Sequence, residues 1–444
     1  MVKRVIVGST AMSVLLGLLL SVGPSTAART LETTNPFGGP TGRFPWGVAL
    51  DSAGNVYTPN TGADTVTKIS ADGRTTTQFG AATGGQPWAI AIDRHDNVYT
   101  ANYLSNSVTR IRPDGTTTRF GGPTGEGPRG IAVDRRGNVY TANFESDSVT
   151  RIRPDGTTSQ FGGTTGNEPW GIALDGDGNV YTVNTGADSV TKISADGRTT
   201  AQFGGTTGAY PWALAVKPDG TVFVANTSSD SVTRISADGR TTSLFGGRVG
   251  SPTAIAVDKR GNVFVANSDW NTVTKISPDG SRYSQYGGST GSEPQGIAVD
   301  GQGNVFTANS GANTVTKIGP RQTRLLVTGR PAGDPVAVGR TTTLISSVRT
   351  DGRVSAVRAW CEVKGQRISR RAQTRVCGLQ IDRPGSAGAS GKAIRVTARP
   401  SCNTGVRIQA RVAAERAGAA PSRWSRTWGV DRSPRIACAL PGTG

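Results

Sequence analysis

The single histidine of this chain, His95, limits the chemistry its side chains could do. A Ser-His-Asp relay would have to run through His95, and a metal site built from several imidazoles is excluded. The residues that stand out are aromatic instead. Trp46, Trp88, Trp170 and Trp212 each follow a proline, and the equivalent positions elsewhere hold Arg129, Thr253 and Gln295. A second set of equivalent loops carries Tyr103, Phe144, Glu145, Asp269 and Trp270. Indoles gathered around an axis suit sugar rings, peptides or other flat apolar groups. They could equally pack beneath the adjacent loops and plug a channel, and the sequence holds the two readings level.

A repeat sets those positions. Prolines recur at Pro45, Pro87, Pro128, Pro169, Pro211, Pro252 and Pro294, at steps of 41 or 42 residues. After each comes a small apolar run such as Gly171-Ile172-Ala173-Leu174, then alternating runs such as Asn179-Val180-Tyr181-Thr182-Val183 and Ser189-Val190-Thr191-Lys192-Ile193. Turns of the Asp-x-x-Gly-Asn and Asp-Gly-Arg kinds separate them and supply the positive-φ residues that tight hairpins require. Four short strands per unit of this length are the mark of a β-propeller blade. Outer strands end in Phe79, Phe120, Phe161, Phe203, Phe245 and Tyr286, six aromatics for seven repeats. The seventh repeat stops at Pro320 without an outer strand, while Thr33–Gly42 has the sequence of an outer-strand end with no blade before it. The leading segment is therefore expected to complete the last blade, which removes two open sheet edges.

Two rings of polar residues recur with the blades. Asn60, Asn102, Asn143, Asn184, Asn226, Asn267 and Asn309 read as amides that close turns. Asp64, Asn106, Asp147, Asp188, Asp230, Asn271 and Asn313 read as turn caps in preference to ligands. Asp175-Gly176-Asp177-Gly178-Asn179 hints at a calcium loop but lacks its remaining ligands, so it is read as a hairpin.

Residues 30–320 resemble NHL repeats, and more closely the seven-bladed streptogramin (virginiamycin B) lyase group. That group's repeat runs Pro-x-x-Ile-Ala, Gly-x-Leu-Trp-Phe-Thr-Glu, Asn-x-Ile-Gly-Arg-Ile. The resemblance implies the propeller fold and a metal-assisted elimination that opens a cyclic depsipeptide, with histidines at the mouth and carboxylates that hold magnesium. This chain departs from the pattern where the chemistry would lie. No histidine follows any repeat proline, and asparagine stands where the Thr-Glu carboxylate would. An amide can neither neutralise a hard cation nor take a proton as a carboxylate can. His95 falls in the Asp93–Asn97 hairpin, away from the mouth. No catalytic residue, metal ligand or cofactor is assigned.

The ends of the chain differ from this middle. Lys3 and Arg4, the apolar stretch Val5–Val22 and the small residues Ser25–Ala28 read as a signal peptide over residues 1–28. Export then makes Cys361, Cys377, Cys402 and Cys438 two disulfides. Three pairings are possible, and Cys361–Cys377 with Cys402–Cys438 is the one expected. Residues 1–320 carry 26 Lys and Arg against 25 Asp and Glu, whereas residues 321–444 carry 23 against 6. Composition thus divides a propeller at 29–320 from a basic domain at 321–444. The latter alternates over about seven strands and is expected to be a small immunoglobulin-like β-sandwich, with Trp360, Trp424 and Trp428 as candidate core aromatics.

The whole chain is therefore expected to be all-β, a seven-bladed propeller closed by its N-terminal strand and followed by the sandwich. The expected function is that of a secreted binding or scaffold protein, a monomer whose propeller mouth recognises a glycan or peptide; a purely structural scaffold is a further reading. Its basic domain would associate with anionic envelope polymers. Export argues against nucleic acid, and after signal cleavage no segment could cross a membrane. A streptogramin lyase-like carbon–oxygen lyase, or another hydrolase, is the alternative. The terminal Leu440-Pro441-Gly442-Thr443-Gly444 resembles a sortase signal, but its apolar span and basic tail are missing, and it is read as coincidence or relic.

Overall fold

The computed structural model describes residues 31–320, then 325–329, 334–338, 340–350, 353–363, 366–367, 376–382, 395–402, 406–415 and 422–430. The expected signal peptide, Cys438 and the terminal pentapeptide lie outside the described residues. The chain forms two compact units, Thr30–Gln322 and one that takes in Thr323–Gly444.

The first unit is a ring of seven four-stranded antiparallel sheets. Blade four shows the pattern: Pro169–Leu174 nearest the axis, then Val180–Asn184, Ser189–Ile193 and the outer Thr200–Gln202. Inner strands are built from small residues because seven of them converge. At Gly296 a Cβ would lie 2.7 Å from the Trp46 carbonyl oxygen, so blade seven meets blade one through a position that has no room for a side chain. Between blades lies the core. Each second strand offers a ring to the aromatic that ends an outer strand, as in Tyr57–Phe79, Tyr181–Phe203 and Phe264–Tyr286 at 5.1–5.2 Å.

Blade seven borrows its outer strand, as expected. Leu31–Thr34 pairs with Thr314–Pro320 from Leu31↔Pro320 to Thr34↔Lys317. Phe37 then supplies the missing aromatic: it is buried, and its ring meets Phe306 edge-on at 5.6 Å. Neighbouring blades are also tied by side chains. Asp64, Asn106, Asp147, Asp188, Asp230 and Asn271 each accept, through Oδ1, from a backbone N–H in the next blade's loop at 2.7–2.9 Å. Asn313 closes the circle by accepting from the Phe44 N–H at 2.8 Å. All seven residues have φ between 45° and 52°, a conformation that Asn and Asp tolerate best among residues with a side chain.

On the face opposite the mouth, carboxylates organise the first hairpin of each blade. Asp93 Oδ1 accepts from the His95 and Asn97 N–H groups, and its Oδ2 from Asn97 Nδ2 and the Tyr99 hydroxyl. Desolvation works to raise this carboxyl, but these four donors outweigh it and hold it below the usual carboxylate range. At Asp219 desolvation is likewise outweighed, by Lys217 and the Thr221 N–H, and its value falls to about 2. Groups depressed in the fold stabilise it above their unfolded value and lose that contribution as pH falls through the folded one. The melting temperature should therefore hold level from about pH 7 to 5 and fall below about pH 4. A level profile down to about pH 2.5 would count against these carboxylates as structural anchors.

Among its described residues the second unit has two four-stranded sheets. One runs in the order Leu325–Gly329, Thr342–Thr350, Arg395–Ala398, Gln380–Asp382, and the other Gln366–Arg367, Arg353–Val363, Val406–Glu415, Ser422–Gly429. Lettered along the chain these are A-B-E-D and C′-C-F-G, the immunoglobulin arrangement. Leu344, Val396, Ile408 and Trp428 pack in one core with Cys361 and Cys377, which are bonded to each other as expected. Cys402 is disulfide-bonded as well. Trp360 is buried, as expected, but it lies outside that cluster: next to the core-facing Cys361 on an alternating strand, it is turned to the opposite face of the sheet. There it is covered by the guanidinium groups of Arg367 and Arg411, 5.1 and 5.0 Å from the ring centroid. The side chain of Trp424 lies outside the described residues.

Candidate functional site

The mouth side chains are aimed by a repeated fault in the sheet. In blade three Pro128 pairs with Asn143 and Gly130 with Ala142, so Arg129 is a bulged extra residue. The same slip places Trp88, Trp170, Trp212, Thr253 and Gln295 on bulges. Blade one shows it between the Pro45–Asn60 bridge and the Ala49–Tyr57 pair, which frees Trp46. A bulge bends the strand and re-aims its side chain. The fold thus turns one residue per blade out of the sheet at the mouth.

Four of these seven are indoles, and they meet. Trp170 and Trp212 stack with ring centroids 4.8 Å apart and planes 7° from parallel. Trp46 touches Trp88 at 4.6 Å and Trp212, three blades away around the closed ring, at 6.4 Å, so the cluster spans the axis. Trp88 meets Trp170 edge-on at 5.7 Å. Tyr103 and Phe144 extend the cluster against Trp88 and Trp170. All six remain half-buried. The two readings of the sequence therefore merge: the indoles cap the channel and still show part of their faces to solvent.

Arg129 sits inside this cluster. Its guanidinium carbon lies 3.6 Å from the Phe144 centroid, 4.0 Å from Trp170, 4.9 Å from Trp88 and 5.0 Å from Tyr103. Each such contact contributes roughly 0.5–2 kcal/mol according to its exposure. Ion pairs among the described residues involve Arg74, Arg198, Lys217, Arg240 and Arg248, so the charge of Arg129 is balanced by rings and by no carboxylate. Glu145, the nearby candidate, accepts from the Tyr103 hydroxyl instead. Four buried polar atoms here have no partner: Trp88 Nε1, Trp212 Nε1, Arg129 Nε and Gln295 Oε1. Three donors and one acceptor are a latent capacity for a polar ligand group.

Two sequence candidates stand apart. Thr253 is buried and donates to the Pro294 carbonyl at 2.6 Å, which makes it a tie between blades. Trp270 makes no ring contact with the other mouth aromatics among the described residues; it lies over Gly250, where a Cβ would be 2.4 Å from the indole. It is nonetheless exposed on the mouth face, and three residues absent from the sequence reading join it there. Phe44, Leu104, Tyr210 and Trp270 are 48, 64, 43 and 48% exposed, an apolar rim around the indoles. Phe44 and Tyr210 hold φ of 54° and 56°, unfavourable for a ring-bearing residue. The bonds from their N–H groups to Asn313 and Asp188 impose it.

The asparagine ring is structural. Every one of the seven is fully buried, and each Nδ2 donates to two Ser or Thr hydroxyls of the next strand at 2.9–3.1 Å. Asn184→Ala should therefore destabilise the propeller by about 1–3 kcal/mol, because the Ser189 and Thr191 hydroxyls lose a buried partner. Chemical denaturation measures this, and a change below about 0.5 kcal/mol would contradict the assignment. The donor set does not suit the magnesium that the resemblance implies. No group of three His, Cys, Asp or Glu is placed to hold a metal ion among the described residues. The Asp175–Asn179 loop is likewise a hairpin: both Asp175 oxygens are engaged by Asp177 and Asn179 N–H groups, Asn179 Nδ2 and the Tyr181 hydroxyl. His95 lies in the corresponding turn of blade two, at the far end of the inner strand from Trp88.

Comparison with known proteins places this geometry. A model of the virginiamycin B lyase family matches residues 30–228 and 165–328. No curated protein matches the chain in sequence. Among solved structures, the virginiamycin B lyase of Staphylococcus aureus superposes with a TM-score of 0.58 at 19% identity, over 65% of this chain and 99% of that one. The same enzyme as a catalytically inactive histidine-to-alanine variant with quinupristin gives the same figures. The hydrazine synthase of Kuenenia stuttgartiensis gives 0.55 at 18% identity, over 64% of this chain and 96% of that one. At these identities the likeness is one of fold.

Proposed function

We propose that this protein, which belongs to the virginiamycin B lyase family, is a binding protein whose propeller mouth takes a glycan or peptide outside the cell. One observation carries the reading: six aromatic side chains converge with Arg129 at the place where the blades differ from one another. Aromatic and arginine side chains are the usual anchors of recognition surfaces. Polar atoms without partners inside that cluster, and an apolar rim around it, favour a ligand with a flat apolar face and at least one polar group. The basic sandwich unit, acting as part of a monomer, would hold the molecule near anionic envelope polymers through its excess of 23 basic over 6 acidic residues. The Cys361–Cys377 disulfide supports an oxidising compartment. No described helix is long and apolar enough to cross a membrane.

The family's carbon–oxygen lyase chemistry is the competing reading. In the Staphylococcus aureus enzyme a histidine-to-alanine variant is catalytically inactive; here the sole histidine is in a hairpin at the other end of the blade. The full chain should therefore leave the lactone ring of quinupristin intact, with or without added magnesium, when followed by mass spectrometry. Its melting temperature should not move on treatment with a chelator. Ring opening that the chelator abolishes would replace the binding reading with the lyase one.

A further inference from the structure

Blade five breaks the repeat on the face opposite the mouth, twice in one place. The first turn of the other blades opens with Asp51, Asp93, Asp134, Asp175, Asp258 or Asp300; in blade five that residue is Lys217. Third-strand cations elsewhere stack over aromatic rings, as Lys68, Arg110, Arg151, Lys192, Lys275 and Lys317 do. The equivalent Arg234 makes no such contact among the described residues and is exposed, where the others are half-buried. Both departures point into one cleft of about 240 Å³ between blades five and six, which Lys217, Arg234, Lys259 and Arg260 line without any carboxylate.

The nearby acids lie outside the cleft's lining. Lys217 Nζ donates to Asp219 Oδ2 at 2.7 Å, and Asp219 is not among the residues that line the cleft. Asp258 is occupied by the Arg260 and Asn262 N–H groups and by Asn262 Nδ2. Asp279 is engaged by the Ser277 and Ser281 hydroxyls. Arg234, Lys259 and Arg260 enter no ion pair among the described residues. Four cations therefore line a cleft whose own walls hold no carboxylate, on a propeller whose overall charge is close to neutral. The volume suits one compact anion, and two guanidinium forks beside two ammonium groups match the non-bridging oxygens of a phosphate, which number more when it is free than in a diester. We infer that this cleft is an anion site that takes a phosphate group, either free or within a phosphodiester polymer.

The test uses the full chain, with inorganic phosphate and a glycerol phosphate oligomer as separate probes, at low ionic strength. The cleft variant combines Lys217→Asp, which restores the residue of the other six blades, with Arg260→Gln. The control combines Arg74→Gln with Arg198→Gln, in exposed turns of blades one and four. Wild type and control should share one saturable phosphate site, and the cleft variant, while still melting cooperatively, should fill it at least about tenfold more weakly, above any weaker binding to the basic unit common to all three. A loss for both probes identifies phosphate itself as sufficient, and a loss for the oligomer alone identifies the polymer. Equal binding of both probes by the cleft variant and the control would overturn the site.

Discussion

Replacing Phe37 by alanine is expected to destabilise the propeller by about 3–5 kcal/mol, the range for removal of a buried phenylalanine. Phe37 is 5% exposed and packs with Val56, Ile69, Phe306 and Val315, residues of blades one and seven. Its backbone N–H donates to the Val315 carbonyl at 2.7 Å, and Lys317 covers its ring at 4.9 Å. Burial lowers the pKa of that lysine, against the pull of the Asp300 and Glu32 carboxylates. Loss of Phe37 therefore opens the seam where the ring is sealed, and the borrowed strand Leu31–Thr34 should loosen with it. Leu31, which is exposed, is the control: Leu31→Ala should change stability by less than about 0.5 kcal/mol. Equal effects of the two substitutions on denaturant unfolding would mean that the leading segment does not close the ring.

The second large effect is expected at Trp170. This indole stacks on Trp212, meets Trp88 and Phe144 edge-on, and forms one wall of the Arg129 enclosure. Trp170→Ala should weaken the mouth's binding of its glycan or peptide ligand by at least about thirtyfold, the scale of a central anchor. Trp270 stands on the rim outside the cluster, and its loss should weaken binding by less than about tenfold. A structural readout accompanies the functional one. Exciton coupling among the indoles should weaken in the circular dichroism of Trp170→Ala, which leaves the Trp46–Trp88 pair, and be unchanged in Trp270→Ala. If Trp270→Ala weakens binding more than Trp170→Ala, the ligand sits on the rim and not on the indole layer.

The ring was legible because its signals are redundant: the proline, the alternating strands and the Gly-containing turns all repeat, and each alone implies the same blade. The borrowed strand was legible for a related reason, since a missing aromatic and a spare one could be matched. The mouth was legible only in part. Position after the proline showed which residues would differ, but not the bulge that re-aims them, because a bulge is a fault of register between two strands. Phe44 and Tyr210 stand immediately before the proline, and their outward orientation follows from bonds to Asn313 and Asp188 that join different blades. Lys217 and Arg234 were visible as letters, but a repeat invites attention to what recurs. In the sandwich, Trp360 and Cys361 are adjacent on one alternating strand, so only one of them can face the core, and the disulfide to Cys377 decides which.

The central claim is that recognition resides in the aromatic layer at the mouth. Its most direct test is an array of glycans and peptides probed with the full chain and with a variant carrying Trp46→Ala, Trp88→Ala, Trp170→Ala and Trp212→Ala, each first shown to melt cooperatively. The expected result is a narrow set of ligands bound by the wild type and lost by the variant, with retention on anionic polymer unchanged. A cooperatively folded variant that binds the same set as the wild type would contradict the claim.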